Sequence, residues 1–108
     1  MNRGDFATIA MQGDFGKPRP ALVIQSDQFM AHATVTVLLV SSALVDAPLF
    51  RVTVQPTRAN GLQKPSQVMV DKAVTVKRDK LGEVFGSADD QTLLEVGRCL
   101  AVFMGIAR

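Results

Sequence analysis

The sequence has few of the side chains that bind structural metal ions or form stabilising disulfides. Its 108 residues include one cysteine, one histidine, no tryptophan and no tyrosine. Because Cys99 is alone, no internal disulfide can form, which fits a reducing cytoplasm. One histidine and one cysteine cannot complete a zinc site of the usual ligand count. The sequence therefore predicts a protein without a structural metal or a disulfide.

Long apolar runs and leader-like segments are also missing. No uninterrupted apolar stretch approaches the roughly 18 residues of a membrane-spanning helix. No basic segment followed by an apolar one opens the chain. We therefore expect a cytoplasmic protein with no membrane association.

The known nucleotide-binding and stacking signatures are absent too. The glycine-rich stretch GDFG at residues 13–16 lacks the spacing of a Walker loop or a Rossmann fingerprint. Without tryptophan or tyrosine, a binding mode built on aromatic stacking of successive bases is disfavoured. His32 is expected to be a surface turn residue, and Cys99 a small packing residue.

What is present is ordinary globular composition with an uneven charge distribution. Apolar residues make up 47% and charged residues 20% of the chain, as expected for a single domain over residues 1–108. A domain of this size can be marginal alone, so an obligate dimer is a reasonable expectation. Residues 51–80 hold seven cationic side chains and two acids, a local charge of +5 within a chain of +2. This enrichment indicates either a polyanionic partner or a solvated face of strands and turns.

The hydrophobic pattern predicts a mainly β protein with one helix at the end of the chain. Period-two and short β-branched runs mark seven predicted strands, at Asp5–Met11, Ala21–Gln25, Thr34–Val40, Phe50–Val54, Ser66–Val70, Val74–Val76 and Glu83–Phe85. Turns are predicted around residues 26–33, 44–49 and the Asn-Gly pair within 56–65. From about Ala88 to Met104 the apolar spacing changes to three and four, which predicts a helix. A capping box from Ser87 to Asp90 and a terminating Gly105 would bound it.

Arginine, hydroxyl and acid side chains at the predicted strand ends form a candidate site. Arg19 lies between Pro18 and Pro20, which stiffen its backbone in an extended form. Ser41 and Ser42 follow the TVTVLLV strand, and Asp71 and Lys72 follow SQVMV. Such a set suits phosphodiester chemistry on RNA, because the substrate's own 2′-hydroxyl can be the nucleophile. Taken singly, a serine at a strand end is usually a turn residue, and Asp71 next to Lys72 is usually a solvated ion pair.

Several segments together resemble one family over nearly the whole chain, from Arg3 to Ile106. RGDF, GKPRPALVIQSD, a β-run ending in Ser-Ser, NGLQKPSQVMVDK and a closing FMGI occur in the order and spacing of the MazF/PemK (Kid) toxins. The resemblance implies a small SH3-like β-barrel with a C-terminal helix, assembled as a homodimer. It also implies metal-independent cleavage of single-stranded RNA, and inhibition by a cognate antitoxin of the MazE/PemI kind.

The resemblance assigns roles to individual residues. Arg19 matches the family's catalytic arginine, and Ser41 stands where a threonine hydroxyl is usual. RNA contacts are predicted for Lys17, Ser42, Asp71 and Lys72. Two positions depart from the PemK branch: the first loop has no histidine, and Met69 replaces an arginine two residues before the acid. An acid–base pair of the PemK kind is therefore not expected here.

The alternative is a gyrase poison of the CcdB type, which shares the fold and binds DNA gyrase through a helix with an aromatic-Gly-Ile tail. The chain has LAVFMGI at residues 100–106, with Met104 in place of the aromatic residue. MazF-like chains end similarly, so this ending discriminates poorly. The GKPRP loop and the NGL turn favour the nuclease.

Overall fold

The computed structural model describes residues 1–10 and 17–108. The predicted strand residue Met11 and the predicted loop residues 12–16 lie outside the described residues. Six strands and one helix follow one another along the chain: β1 (Asp5–Ala10), β2 (Pro18–Val23), β3 (Thr34–Ser41), β4 (Arg51–Val54), β5 (Ser66–Lys77), β6 (Leu81–Ser87) and α1 (Asp90–Phe103). Single 3-10 turns lie at Asp27–Phe29 and Arg78–Lys80. The mainly β fold with a C-terminal helix is thus confirmed.

The six strands form one antiparallel sheet in the order β4-β5-β3-β2-β1-β6. Because side chains alternate along a strand, each strand contributes to both faces. One face holds the helix-side cluster, made of Phe6, Leu22, Leu38, Val40, Val52, Val54, Val68, Val70 and Val96. The opposite face holds the second cluster, made of Ile9, Ala21, Val23, Val35, Val37 and Leu39. The near-continuous apolar runs of β2 and β3 follow from this burial on both faces.

The sheet is strongly curled around the helix-side cluster. Val52 and Val54 come from the edge strand β4, and Phe85 of the opposite edge strand β6 packs against the same cluster. Val96 of α1 is fully buried there and closes it. Both edges therefore meet one core, as expected for a small barrel-like sheet closed by a helix.

The strand β5 differs from the prediction of two short strands. Ser66–Lys77 is one strand of 12 residues, so Asp71 and Lys72 lie inside it rather than after its end. Its first half pairs with β4, and it also pairs with β3 through an irregularity between Leu38 and Val40. A bulge of this kind bends a strand without ending it. The charged pair suggested a turn, but it lies at this bend.

The helix begins later than its predicted capping box. Asp89 is the N-cap, and its Oδ1 accepts a 2.7 Å hydrogen bond from the backbone N–H of Thr92, so the prediction of a Ser87–Asp90 box was wrong. Hydrogen bonds from the Thr92 side chain and then its backbone lower the pKa of Asp89. Gly105 has a φ of 75° and follows the end of the helix, as predicted. Among the described residues, no helix has the length and apolar character needed to cross a membrane.

The loop between β4 and β5 is organised by Asn60 and Gly61, which the sequence marked as a turn. Asn60 is buried, accepts hydrogen bonds from the backbone N–H groups of Thr57 and Leu62, and donates one to the carbonyl of Gln55. Gly61 has a φ of 70°, and a Cβ there would lie 2.3 Å from the carbonyl oxygen of Phe85. The loop therefore packs tightly on β6.

Candidate functional site

Arg19 and Ser41 lie at the same end of neighbouring strands. The ladder between β2 and β3 runs from Val23↔Val37 to Ala21↔Leu39 and stops there. Arg19 and Ser41 are the residues two positions beyond this last pair, and by alternation both belong to the face of the second cluster. Proline has no N–H to donate, which accounts for the end of the ladder at the Pro-Arg-Pro segment.

On the edge of β2 opposite β3, Arg19 is paired with strand β1. It pairs with Ile9 in a ladder that continues through both prolines, so its backbone is a strand, extended as predicted. The side chain is exposed. Lys17, also exposed, directly precedes β2. Two cationic side chains therefore lie at this end of the sheet.

Ser41 and Ser42 have different surroundings. Ser41 is the last residue of β3, is half-buried, and its Oγ accepts a 3.0 Å hydrogen bond from the backbone N–H of Ala43. Ser42 is exposed. It lies beside a cavity of about 420 Å³ whose lining includes Pro20, Lys64 and Phe85. Next to Ser42 there is thus room for a flat, partly apolar group, in a cavity that Ser41 does not line.

Gln67 was missed by the sequence reasoning. It pairs with Ser41 in the β3–β5 ladder and is buried. Its amide accepts from the N–H of Val45 at 3.0 Å and donates to the carbonyl of Val45 at 2.9 Å and to the hydroxyl of Thr53. Gln67 therefore ties the loop that follows Ser41 to the sheet. Its role depends on strand register, which no local pattern in the sequence shows.

Asp71 lies further along β5, in contact with two cations. Its Oδ1 is 3.4 Å from Nη1 of Arg51, and its Oδ2 is 3.7 Å from Nζ of Lys72. The side chains of Arg51 and Asp71 are 15% and 19% exposed, whereas that of Lys72 is 53% exposed. The guanidinium carbon of Arg51 also lies 5.4 Å from the ring centroid of Phe50. Arg51 was counted in the basic segment but was not predicted as a site residue.

Strand register places Asp71 on the same face as Ser41. Gln67 pairs with Ser41, and Met69 and Asp71 follow Gln67 at alternate positions of β5. Met69 packs against the second cluster, which confirms the face. Three of the predicted site residues thus share one face, with Arg19 and Ser41 at its end and Asp71 further along the sheet. The alternation does not place Ser42 and Lys72, which directly follow Ser41 and Asp71, on this face.

The other two candidate reactive side chains, His32 and Cys99, are engaged in packing contacts. The ring of His32 stacks on Phe29 at 5.5 Å. Burial, and secondarily Glu95, raise the pKa of the Cys99 thiol, so the thiolate is disfavoured. In the part of the chain that the structure describes, no three His, Cys, Asp or Glu side chains are grouped as a metal site would require.

Comparison with known proteins identifies relatives along the whole chain. The family model described as "PemK-like, MazF-like toxin of type II toxin-antitoxin system" matches residues 2–104. A curated relative from Mycolicibacterium smegmatis, "Probable endoribonuclease MazF", is 44% identical over 108 residues, which is 99% of each chain.

Solved structures share the fold at lower identity. A mycobacterial endoribonuclease in complex with its cognate antitoxin superimposes with a TM-score of 0.84 at 19% identity, covering 100% of this chain and 98% of the other. A MazE–MazF structure from Deinococcus radiodurans gives a TM-score of 0.79 at 22% identity, covering 99% and 97%. At these identities the two structures support the fold.

Proposed function

This chain belongs to the family of PemK-like, MazF-like toxins of type II toxin–antitoxin systems, and from that membership and the site we propose that it is an endoribonuclease. Its substrate is single-stranded RNA, chiefly mRNA, and its cleavage arrests growth. The observation that carries the proposal is the position of Arg19 and Ser41 on facing strands, just beyond the last pair of the β2–β3 ladder. The family match favours this function over the gyrase poison considered from the sequence.

The proposed reaction uses the RNA's own 2′-hydroxyl. Its oxygen attacks the adjacent phosphorus, the bond from phosphorus to the 5′-oxygen breaks, and the proton lost by the 2′-hydroxyl is balanced by one gained on the leaving 5′-oxygen. Negative charge grows on the phosphoryl oxygens during this step. Arg19 is suited to stabilise it, because a guanidinium stays protonated and binds phosphate with two parallel N–H donors.

Ser41 is suited to act as a second donor. Its oxygen already accepts from the N–H of Ala43, so its hydroxyl hydrogen is available to a phosphoryl oxygen. Donors that are fixed before the reaction stabilise the transition state without reorganisation. This mechanism assigns no step to a metal ion.

Lys17, Ser42, Asp71 and Lys72 are proposed to bind the RNA around the cleaved bond. The two lysines are exposed and suited to phosphates, whereas the Asp71 carboxylate accepts hydrogen bonds from ribose or base donors. The cavity beside Ser42 offers a place for one splayed base, flanked by Pro20 and Phe85. Single-stranded RNA is usually read through such unstacked bases.

The toxin is further proposed to act in the cytoplasm as a homodimer under the control of an antitoxin. The solved relatives from a mycobacterial species and from Deinococcus radiodurans are described in complex with a cognate antitoxin and with MazE, respectively. An antitoxin with an acidic, partly disordered tail would suit the basic segment of this chain.

The test is cleavage of a long single-stranded RNA by the purified protein in EDTA. The wild type should cut it, and Arg19→Ala should lose at least 100-fold in rate, the order expected for removing a transition-state donor. Arg19→Lys should restore little, because an ammonium cannot reproduce the planar fork. Gln91→Ala, which truncates an exposed side chain in the first turn of α1, is the control and should cleave like the wild type. Cleavage that requires added magnesium, or that survives Arg19→Ala, would contradict the proposal.

A further inference from the structure

Arg51 and Asp71 are diagonal neighbours on two adjacent strands, and their side chains are in contact. Arg51 begins β4, and its register partner on β5 is Met69. Asp71 is the next residue on the same face of β5, and the guanidinium extends to it across this diagonal. The position opposite Arg51 is thus apolar, and its charged partner lies two residues further along.

The ion pair between Arg51 and Asp71 leaves buried polar atoms without hydrogen bonds within the described part of the chain, which is not expected of a contact whose only role is to stabilise the fold. Nε and Nη1 of Arg51 and Oδ1 of Asp71 are buried and make no hydrogen bond to the described residues. The 3.4 Å approach is an ion-pair distance only. Partly buried pairs of this quality are often replaced by apolar side chains without loss of stability, because desolvation offsets their attraction.

The surroundings of Arg51 are partly apolar. Phe50 lies against the guanidinium and Met69 lies opposite in register, and on another side Arg51 lines a small cavity with Asp46 and Glu95. Packing therefore does not require a cation at this position. What the cation does supply is a positive charge 3.4 Å from Oδ1 of Asp71.

The two oxygens of Asp71 differ in how firmly they are engaged. Oδ1 faces the largely buried Arg51, whereas Oδ2 faces Lys72, whose side chain is mostly exposed. An exposed lysine exchanges its partner readily, and a phosphate is a stronger partner than a single carboxylate contact at 3.7 Å. Oδ2 is therefore the oxygen that a ligand on this face can reach.

We propose that Arg51 is a positioning residue for RNA binding, which from the neighbouring strand holds the Asp71 carboxylate so that Oδ2 accepts a hydrogen bond from the RNA. Lys72 moves to a phosphate when the RNA is bound. The inference rests on the proposed function, because it takes the RNA to lie along the face that carries Arg19 and Ser41. It assigns no proton transfer to Arg51, which stays charged throughout.

The experiment compares Arg51→Met, Asp71→Asn and the double variant on a single-stranded RNA that carries one mapped cleavage site. Arg51→Met should leave the melting temperature unchanged or raised, while kcat/KM falls about 10- to 100-fold, the cost of a misplaced binding group. The loss should lie mainly in KM, since the pair binds RNA rather than the transition state alone. Because the two residues act as one unit, the double variant should be no worse than the poorer single variant.

Two further variants separate positioning from general effects of substitution. Arg51→Lys should recover part of the lost affinity, because it returns a cation near Oδ1. Gln91→Met, which introduces the same side chain at an exposed position outside the site without a change of charge, should cleave like the wild type.

Each other result overturns the inference. Wild-type KM in Arg51→Met would show that Asp71 needs no positioning. A lower melting temperature with unchanged cleavage by the folded protein would show that Arg51 is structural. Fully additive losses in the double variant would show that the two residues act separately. A wild type that cuts no RNA would overturn the proposed function and this inference together, whereas wild-type cleavage with an unaffected Arg51→Met overturns this inference alone.

Discussion

Ser41 and Ser42 are neighbours in the chain, but the fold gives their hydroxyl groups different chemistry. Ser41 ends β3, is half-buried, and has its oxygen fixed by the N–H of Ala43. Ser42 is exposed beyond the strand, beside the cavity that Pro20 and Lys64 help to line. A fixed hydroxyl is suited to stabilise a transition state. An exposed hydroxyl beside a cavity is suited to contact the substrate.

We therefore expect Ser41→Ala to lower kcat by one to three orders of magnitude, the range for removing one transition-state donor. Ser42→Ala should change KM more than kcat. Ser41→Thr keeps the hydroxyl and is the matched control, which should retain most of the activity. Single-turnover cleavage of the mapped RNA site measures each rate. A larger loss in Ser42→Ala than in Ser41→Ala would contradict this assignment.

The sequence was sufficient to predict residues whose role follows from their immediate neighbours. Arg19 is marked by its two prolines, and Ser41 by the β-branched strand that it ends. No local sequence pattern indicated a role for Arg51 or Gln67, because their partners Asp71 and Val45 are about 20 residues away in the chain. Such contacts depend on strand register, which a single sequence does not specify.

Strand β5 connects the two ends of the proposed site as a single element. Its first half carries Gln67, which binds the loop after Ser41, and its middle carries Asp71. The irregularity opposite Leu38 and Val40 bends the strand between the pairing with β4 and the remainder of the ladder with β3. The sequence predicted two strands here because Asp71 and Lys72 resemble a turn, whereas the bulge accommodates charged residues inside one strand.

Gln67 links this strand to the placement of Ser41, so Gln67→Leu should affect both stability and cleavage. It leaves the N–H and carbonyl of Val45 without their partner, which should lower the free energy of unfolding by about 1–3 kcal/mol for each group that stays buried. The loop after Ser41 should loosen, and cleavage by the folded protein should fall several-fold. Urea unfolding and cleavage well below the midpoint measure the two effects.

The control for this substitution is Gln91→Leu, which makes the same change at an exposed position in the first turn of α1. It should leave both measurements nearly unchanged. A Gln67→Leu protein that loses stability but cleaves at the wild-type rate would show that the loop does not position Ser41.

Over the whole molecule, fewer cationic side chains of residues 51–80 are available to a ligand than the sequence suggests. Arg51 is paired with Asp71, and Arg78 donates to the carbonyls of Met30 and His32 at 2.6 and 2.7 Å. These two cations are engaged within the fold. The exposed members that remain for a polyanion are Arg58, Lys64, Lys72, Lys77 and Lys80. Composition alone could not separate the two groups, because the difference lies in tertiary contacts.

The structure exposes more large apolar side chains than is usual for a small domain that remains monomeric. Leu49 is 75% and Ile106 80% exposed, and Leu94, Phe103 and Met104 of the C-terminal region are also exposed. A groove of about 750 Å³ runs along α1, with Leu94 and Val102 in its lining. Only Val96 of α1 is fully buried in the helix-side cluster. An apolar face of this kind marks an interface.

We expect this face to join two copies of the chain about a two-fold axis, with the RNA bound across both. Sedimentation at micromolar concentration should then give about twice the chain mass of 11.6 kDa. Phe103→Asp introduces a charge on the exposed side of α1, where it cannot disturb the core, and should shift the protein toward monomers and reduce RNA cleavage in parallel. Raising the concentration of this variant should restore dimer and activity together, since both follow one association equilibrium. A wild-type monomer that cleaves at full rate would show instead that one chain forms the complete site, and the apolar face of α1 would then belong to another partner.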